Sequence, residues 1–292
     1  MMMLMSEVDD RVRSAASQWG LTIGDELAGG TRSAVFAATD ELGRDLVLKL
    51  PALNRAHGDP TEAEAAALRS WARTSAAVDL VAVTADALLL ARARPGRQQP
   101  WRPEGNLDDT VGMAGELLRR LWSAPPGYFR YPTLSSVYAE DERVARDDAS
   151  VEQRKRSEPD RGVPGLRRLP AAAVAAEQLM VTAPASILLH GDFITKNIVS
   201  DDTSPVGYVA LDPLPMMGDP AAEVASFAAY HPAQIIMPIA EALATEVDVA
   251  PQRALRWAAI WAVHQAAQAW RDDQEVLESL MASPMIDNLL RL

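Results

Sequence analysis

Apolar positions along the chain follow two periods. The first hundred residues are mostly strand-like, and the remainder is mostly helical. Residues 1–18 carry helical spacing with a frayed start. Three short β-like runs follow, Leu21–Leu27, Ala34–Thr39 and Asp45–Leu50, separated by the turns Ala28–Ser33 and Asp40–Arg44. This pattern predicts an antiparallel meander. Asp59-Pro60-Thr61 opens a helix that runs to Arg73 and puts Glu64, Leu68 and Trp71 on one face. Val78–Thr84 and Ala87–Ala93 predict a hairpin around Ala85-Asp86. Leu107–Trp122 is an amphipathic helix with Met113, Leu117, Leu118 and Leu121 on its apolar stripe. Residues 124–168 combine Pro and Gly breakers with dense charge of both signs, which predicts a solvated helix over Ser136–Lys155 and loop elsewhere. Ala171–Val181 is helical. Three short apolar runs then end at Leu189, Val199 and Leu211, each bounded by polar or turn residues, as buried strands are. Gly218-Asp219-Pro220 starts a helix, with Asp219 fitting the N-cap and Pro220 the first helical position. Pro232–Leu292 is helical throughout. A small antiparallel sheet before a mainly helical part makes the class α+β.

Composition narrows the setting. The chain has 292 residues, 48% of them hydrophobic, enough for one large domain or two lobes. It has no cysteine, so disulfides and thiolate metal sites are excluded. Met1–Met5 is too short for a signal-peptide core and has no basic residues before it. The most apolar stretch, Val224–Ala244, is interrupted by His231, Pro232, Gln234, Pro238 and Glu241 and makes a poor membrane span. A cytoplasmic protein with no membrane partner is expected. The net charge of −12 argues against nucleic-acid binding and suits a cationic small molecule, as well as plain solubility. Only Lys49, Lys155 and Lys196 among the 28 basic residues are lysines, so a lysine closing a strand at position 49 stands out.

The densest chemistry lies in Leu188-Leu-His190-Gly191-Asp192-Phe-Ile-Thr-Lys-Asn197-Ile-Val199 and in Val209-Ala-Leu-Asp212-Pro213. Strand ends there present two carboxylates and a carboxamide. Such oxygen ligands suit Mg2+, which takes one or two carboxylates together with substrate phosphates. A carboxylate off the metal can orient or deprotonate a hydroxyl. A base, a metal-binding Asn and a metal-binding Asp in this order form the pattern that phosphoryl transfer requires.

The HGDxxxxN pattern at 190–197, followed by a strand ending in Asp, resembles the aminoglycoside phosphotransferase family of the protein-kinase-like fold. Leu211-Asp212-Pro213 and Gly218-Asp219-Pro220-Ala221 are most similar to its streptomycin and hydroxyurea resistance kinases. The resemblance implies a bilobal fold, with an N-terminal nucleotide-binding lobe over 1–96, a hinge at 90–96 and a catalytic and acceptor-binding lobe over 97–292. It implies that Asp192 accepts the acceptor's proton, that Asn197 and Asp212 hold Mg2+, and that Lys49 reaches the phosphates of ATP. His190 is expected to pack inward and brace the loop. Gly29, Gly30 and Ser33 are expected to form a phosphate loop two strands before Lys49, although the full GxGxxG pattern is absent. Adenine is expected at the backbone of Ala91–Ala93, where Arg92 stands in place of the acidic residue often found in the family.

Glu64 is the expected partner of Lys49. It can also close a capping box with Thr61, leaving Glu62 as the alternative partner. Lys196 points either to the transferring phosphate or to solvent. Glu140, Asp141, Glu142, Asp147 and Asp148 are candidates to hold a cationic acceptor, or else a solvated face. Trp257, Trp261 and His264 share a helix face, as core or as an aromatic wall beside the substrate. Acceptor identity and oligomeric state are not legible.

Overall fold

A computed structural model describes residues 2–27, 33–51, 60–98, 107–155, 164–268 and 272–291. The N-terminal part is a five-stranded antiparallel sheet in the order β1-β2-β3-β5-β4. Its strands are β1 (Thr22–Glu26), β2 (Ser33–Thr39), β3 (Asp45–Pro51), β4 (Leu80–Val83) and β5 (Leu88–Ala91). Helix α1 (Met2–Trp19) covers one face, and α2 (Pro60–Trp71) lies on the other side. The period of two along β3 decides which residue meets which helix. Leu46, Leu48 and Leu50 join Ala15, Val8 and Val12 of α1 in a small core. Val47 packs against the larger core, and Lys49 shares its side of the strand. Because β3 is central, with Val35 of β2 and Leu88 of β5 opposite Lys49, the lysine is held by ladders on both flanks.

The second part is built mainly from α3 (Leu107–Trp122), α4 (Leu134–Lys155), α5 (Pro164–Val181), α6 (Pro220–Ala229), α7 (Ile236–Glu246), α8 (Pro251–Gln268), α9 (Gln274–Ala282) and α10 (Pro284–Arg291). Helix α8 packs against α4, α5, α6 and α7 and is buried on nearly every side. That accounts for its Ala-rich, weakly amphipathic sequence. Two small sheets carry the loops of interest. One has the order β6-β8-β9, with β6 (Pro95–Gln98), β8 (Ile198–Asp201) and β9 (Tyr208–Ala210). The other pairs β7 (Ile187–Leu189) with β10 (Met216–Gly218). The architecture is the α+β bilobal kinase-like fold expected from the sequence. Among the described residues, no helix is long and apolar enough to cross a membrane.

One local expectation needs correction, and two strands come in addition to those expected. Helix α5 starts at Pro164 rather than near Ala171 and contains Pro170. Pro164 sits at the helix start, where a missing N–H costs nothing. Pro95–Gln98, which overlaps the hinge expected at 90–96, forms strand β6, pairing at the sheet edge, where proline is tolerated. Met216–Gly218 pairs with β7, a strand too short to show periodicity. At α6, Asp219 caps the helix as expected, its Oδ1 accepting the Ala221 N–H at 3.0 Å.

Candidate active site

Lys49 and Glu64 form a buried ion pair. The ammonium donates to both carboxylate oxygens, at 2.8 and 2.7 Å, and each residue is about 5% exposed. Glu64 therefore meets Lys49, whereas Glu62 is exposed. A third group joins the pair: Asp212 Oδ1 lies 2.9 Å from Lys49 Nζ. Burial works against the Lys49 ammonium, but the two carboxylates more than offset it, and its pKa is raised. Burial raises the Glu64 carboxyl, opposed by Lys49.

Asp212 follows β9 with φ +57°, a left-handed conformation that costs a non-glycine residue about 1–3 kcal/mol. The bend turns its carboxylate toward Lys49. The neighbouring strand supplies the next group. Leu211 N–H donates to the Asn197 carbonyl at 2.9 Å, so the stem of the β8–β9 hairpin sets Asn197 beside Asp212 in the chain path. Asn197 ends a single 3-10 turn (Thr195–Asn197), and its Nδ2 donates to Asp192 Oδ2 at 2.7 Å and to the Asp192 carbonyl at 2.9 Å. With the amide nitrogen committed, the carboxamide oxygen is the atom left for a cation. Asn197 and Asp212 are hard oxygen donors, as Mg2+ requires. Among the described residues, no group of three His, Cys, Asp or Glu side chains could hold a metal.

The loop from His190 to Asp192 is braced from three sides. The His190 ring is fully buried, stacks on Trp71 (centroids 5.8 Å apart, planes at 13°) and meets Phe193 edge-on. The Leu211 backbone lies near its ring without reaching hydrogen-bond geometry. Burial pushes its pKa down to about 3, so it stays neutral and packs as the sequence predicts. Gly191 has φ +79°, and a Cβ there would collide with the Leu214 carbonyl and lie 2.9 Å from Met216 Cε. Its N–H donates to Glu223 Oε1 at 2.8 Å, while Glu223 Oε2 accepts from the Trp122 indole at 2.8 Å. Burial raises the Glu223 carboxyl to about 7. By sequence, Glu223 stands where the family often has Asp and either faces the cleft or simply occupies a helix first turn. Its signal was the presence of one charged residue in the otherwise apolar helix Pro220–Ala229.

At the strand-to-loop connection, Ala91 N–H is already donated to the Asp79 carbonyl at 2.9 Å and Arg92 N–H to the Asp45 carbonyl at 3.3 Å. The Ala93 N–H has no partner among the described residues. Gly29 and Gly30 lie outside the described residues, and Ser33 opens β2 opposite Pro51. Lys196 is exposed. The acidic residues of α4 are largely engaged by that helix's own arginines: Arg143 pairs with Glu140 and Asp147, and Arg146 with Glu142. Tyr138 donates to or accepts from His264 at 3.1 Å and sits among Trp257 and Trp261, a packed aromatic core.

Fold and site together define a kinase-like small-molecule phosphotransferase. The chain belongs to the aminoglycoside/hydroxyurea antibiotic resistance kinase family, whose model matches residues 18–274. It is an ATP-dependent phosphotransferase that acts on hydroxyl groups. Solved structures share the fold. The choline kinase LicA from Streptococcus pneumoniae matches with a TM-score of 0.63 at 10% identity, covering 98% of this chain and 100% of that one. The amicoumacin kinase hAmiN, in complex with AMP-PNP, Ca2+ and Ami, matches with a TM-score of 0.60 at 14% identity, covering 97% and 96%. A thermostable mutant of aminoglycoside phosphotransferase APH(4)-Ia matches with a TM-score of 0.58 at 16% identity, covering 95% and 97%. No curated protein matches the sequence.

Proposed function

We propose that the protein transfers the γ-phosphate of ATP, with Mg2+, to a hydroxyl of a cationic small molecule, with streptomycin-type aminoglycosides first in line. The convergence of Lys49, Asp192, Asn197 and Asp212 carries this reading. Lys49, held by Glu64, supplies positive charge to the nucleotide phosphates. Asn197 and Asp212 hold Mg2+, which supplies charge neutralisation at the phosphate oxygens when bound. Asp192, fixed by the Asn197 amide, orients the acceptor hydroxyl and takes its proton. The Ala91 carbonyl and the Ala93 N–H offer adenine an acceptor and a donor. The net charge of −12 favours approach of a cation.

The test is ATP consumption with Mg2+ across streptomycin, kanamycin-type aminoglycosides, hydroxyurea, glucosamine and choline, with product mass checked for one added phosphate. Phosphorylated streptomycin is the expected result. Phosphorylation of a different member replaces the acceptor and keeps the chemistry. Absence of both turnover and Mg2+-dependent ATP binding would overturn the reading.

A further inference from the structure

A cavity of about 610 Å³ opens behind α2, on the helix face opposite Glu64. Ala66, Arg69 and Ser70 of α2 line it, spaced to share that face, and Arg73 joins them from the turn that follows, whereas Glu64, Leu68 and Trp71 occupy the other face. The facing wall is the segment 123–131 between α3 and α4. This cavity is distinct from the cleft that contains Lys49 and Asp212.

Its lining has a definite chemistry. Arg69 and Arg73 are exposed and have no acidic partner among the described residues. Among the described residues they are unpaired cations, on a chain whose net charge is −12. Opposite them are Pro125, Tyr128 and Phe129, with Tyr128 fully exposed and Phe129 edge-on to Tyr131 at 4.8 Å. The Tyr131 hydroxyl is buried there without a hydrogen-bond partner. Ser70 lies near it, but Ser70 Oγ is hydrogen-bonded to the Ala66 carbonyl at 3.1 Å. Unpaired guanidiniums beside aromatic and proline surfaces fit an anion carried on a flat apolar body.

Both walls reach the catalytic loop by separate routes. On the α2 side, Trp71 follows Ser70 of the wall, lies on the opposite face of the helix and stacks on His190. The facing wall begins beside Trp122, whose indole donates to Glu223, the acceptor of the Gly191 N–H. Just past that wall, the Pro132 carbonyl accepts the Met217 N–H at 2.9 Å, and Met217 pairs with Leu188 just before the loop. A ligand filling the gap meets Ser70, Ser123 and Tyr131, the chain neighbours of Trp71, Trp122 and Pro132. We propose that this cavity is an effector site for an anionic aromatic small molecule, which clamps α2 against segment 123–131 and stiffens the His190-Gly191-Asp192 loop. Such coupling requires that the ligand favour the clamped arrangement over the loose one.

The probe is 1-anilinonaphthalene-8-sulfonate, titrated into the full chain with and without a saturating non-hydrolysable ATP analogue. Expected is saturable binding that the analogue does not displace and that weakens at least about tenfold in Arg69→Glu/Arg73→Glu, with an unchanged melting temperature. Arg69→Gln/Arg73→Gln serves if charge reversal prevents folding. Amide exchange over 188–193 should slow on probe binding in the wild type and not in the variant. Equal binding by the variant, displacement by the nucleotide analogue, or binding without slower exchange at 188–193 overturns the proposal. None of these readouts depends on the acceptor or on turnover.

Discussion

Glu223 accepts the Gly191 backbone N–H at 2.8 Å, tying the first turn of α6 to the loop that carries Asp192. The same carboxylate takes the Trp122 indole N–H, so it serves two donors at once. In Glu223→Gln, one of those donors faces an amide N–H₂ instead of an acceptor. Expected is a roughly tenfold fall in kcat, with KM for ATP changed by less than about twofold, because the variant disturbs the loop and leaves Lys49 in place. Steady-state kinetics check the split.

The same residue makes stability depend on pH. Burial raises the Glu223 carboxyl from 4.5 to about 7 in the folded chain. The folded state therefore holds a proton that the unfolded state has released between those values. Its stabilising contribution is complete below pH 4.5, declines as pH rises through about 7, and is flat above. Between pH 5 and 8 the wild type should lose on the order of 3 kcal/mol relative to Glu223→Gln. Denaturant melts of both proteins at several pH values provide the measurement, and parallel curves would remove the assignment.

Lys49 holds two carboxylates, and one of them, Glu64, is buried. Lys49→Met leaves Glu64 without a partner and should cost about 3–5 kcal/mol of stability. The double variant Lys49→Met/Glu64→Leu removes both charges and should recover most of that loss. Activity should stay down at least about 100-fold in both, because stability and phosphate contact are separate roles of the lysine. Thermal melts beside turnover distinguish them.

How much of this was legible follows from the range of each signal. Motif residues were readable because Asp192, Asn197 and Asp212 lie within one strand–loop–strand stretch, where spacing fixes neighbourhood. Lys49 was readable from its strand and its rarity, and Glu64 from helical spacing. The capping-box alternative at Thr61 could be set aside only once β3 and α2 were seen together. Trp71, Trp122 and Glu223 act on the loop from positions 119, 69 and 32 residues away from His190, Gly191 and Gly191 respectively, and no local pattern encodes such contacts. Strands of three residues, such as β10, are too short for periodicity to appear. Helix α5 starts seven residues before the expected Ala171 and keeps Pro170 within it, packed against α8 by contacts that local sequence does not encode.

Gly191 is the tightest point of the loop. Its φ of +79° and the Leu214 carbonyl where a Cβ would sit both exclude a side chain. Leu214 N–H also donates to the His190 carbonyl at 2.9 Å, so the obstructing backbone cannot withdraw without losing a hydrogen bond. Gly191→Ala should destabilise by more than about 2 kcal/mol and abolish transfer. A melting temperature equal to that of the wild type would show that the loop yields.

Asp192 and Asn197 are bonded twice, once through the Asp192 side chain and once through its backbone carbonyl. Asp192→Ala removes the first bond and keeps the second, so Asn197 stays oriented. Transfer to the acceptor should fall at least about 100-fold, while Kd for ATP with Mg2+ changes by less than about twofold. Single-turnover transfer and calorimetric ATP binding, measured on the same preparation, test both halves. Wild-type-like transfer would remove Asp192 as the base. A matching loss of ATP affinity would mean instead that its carboxylate positions Asn197 for the metal.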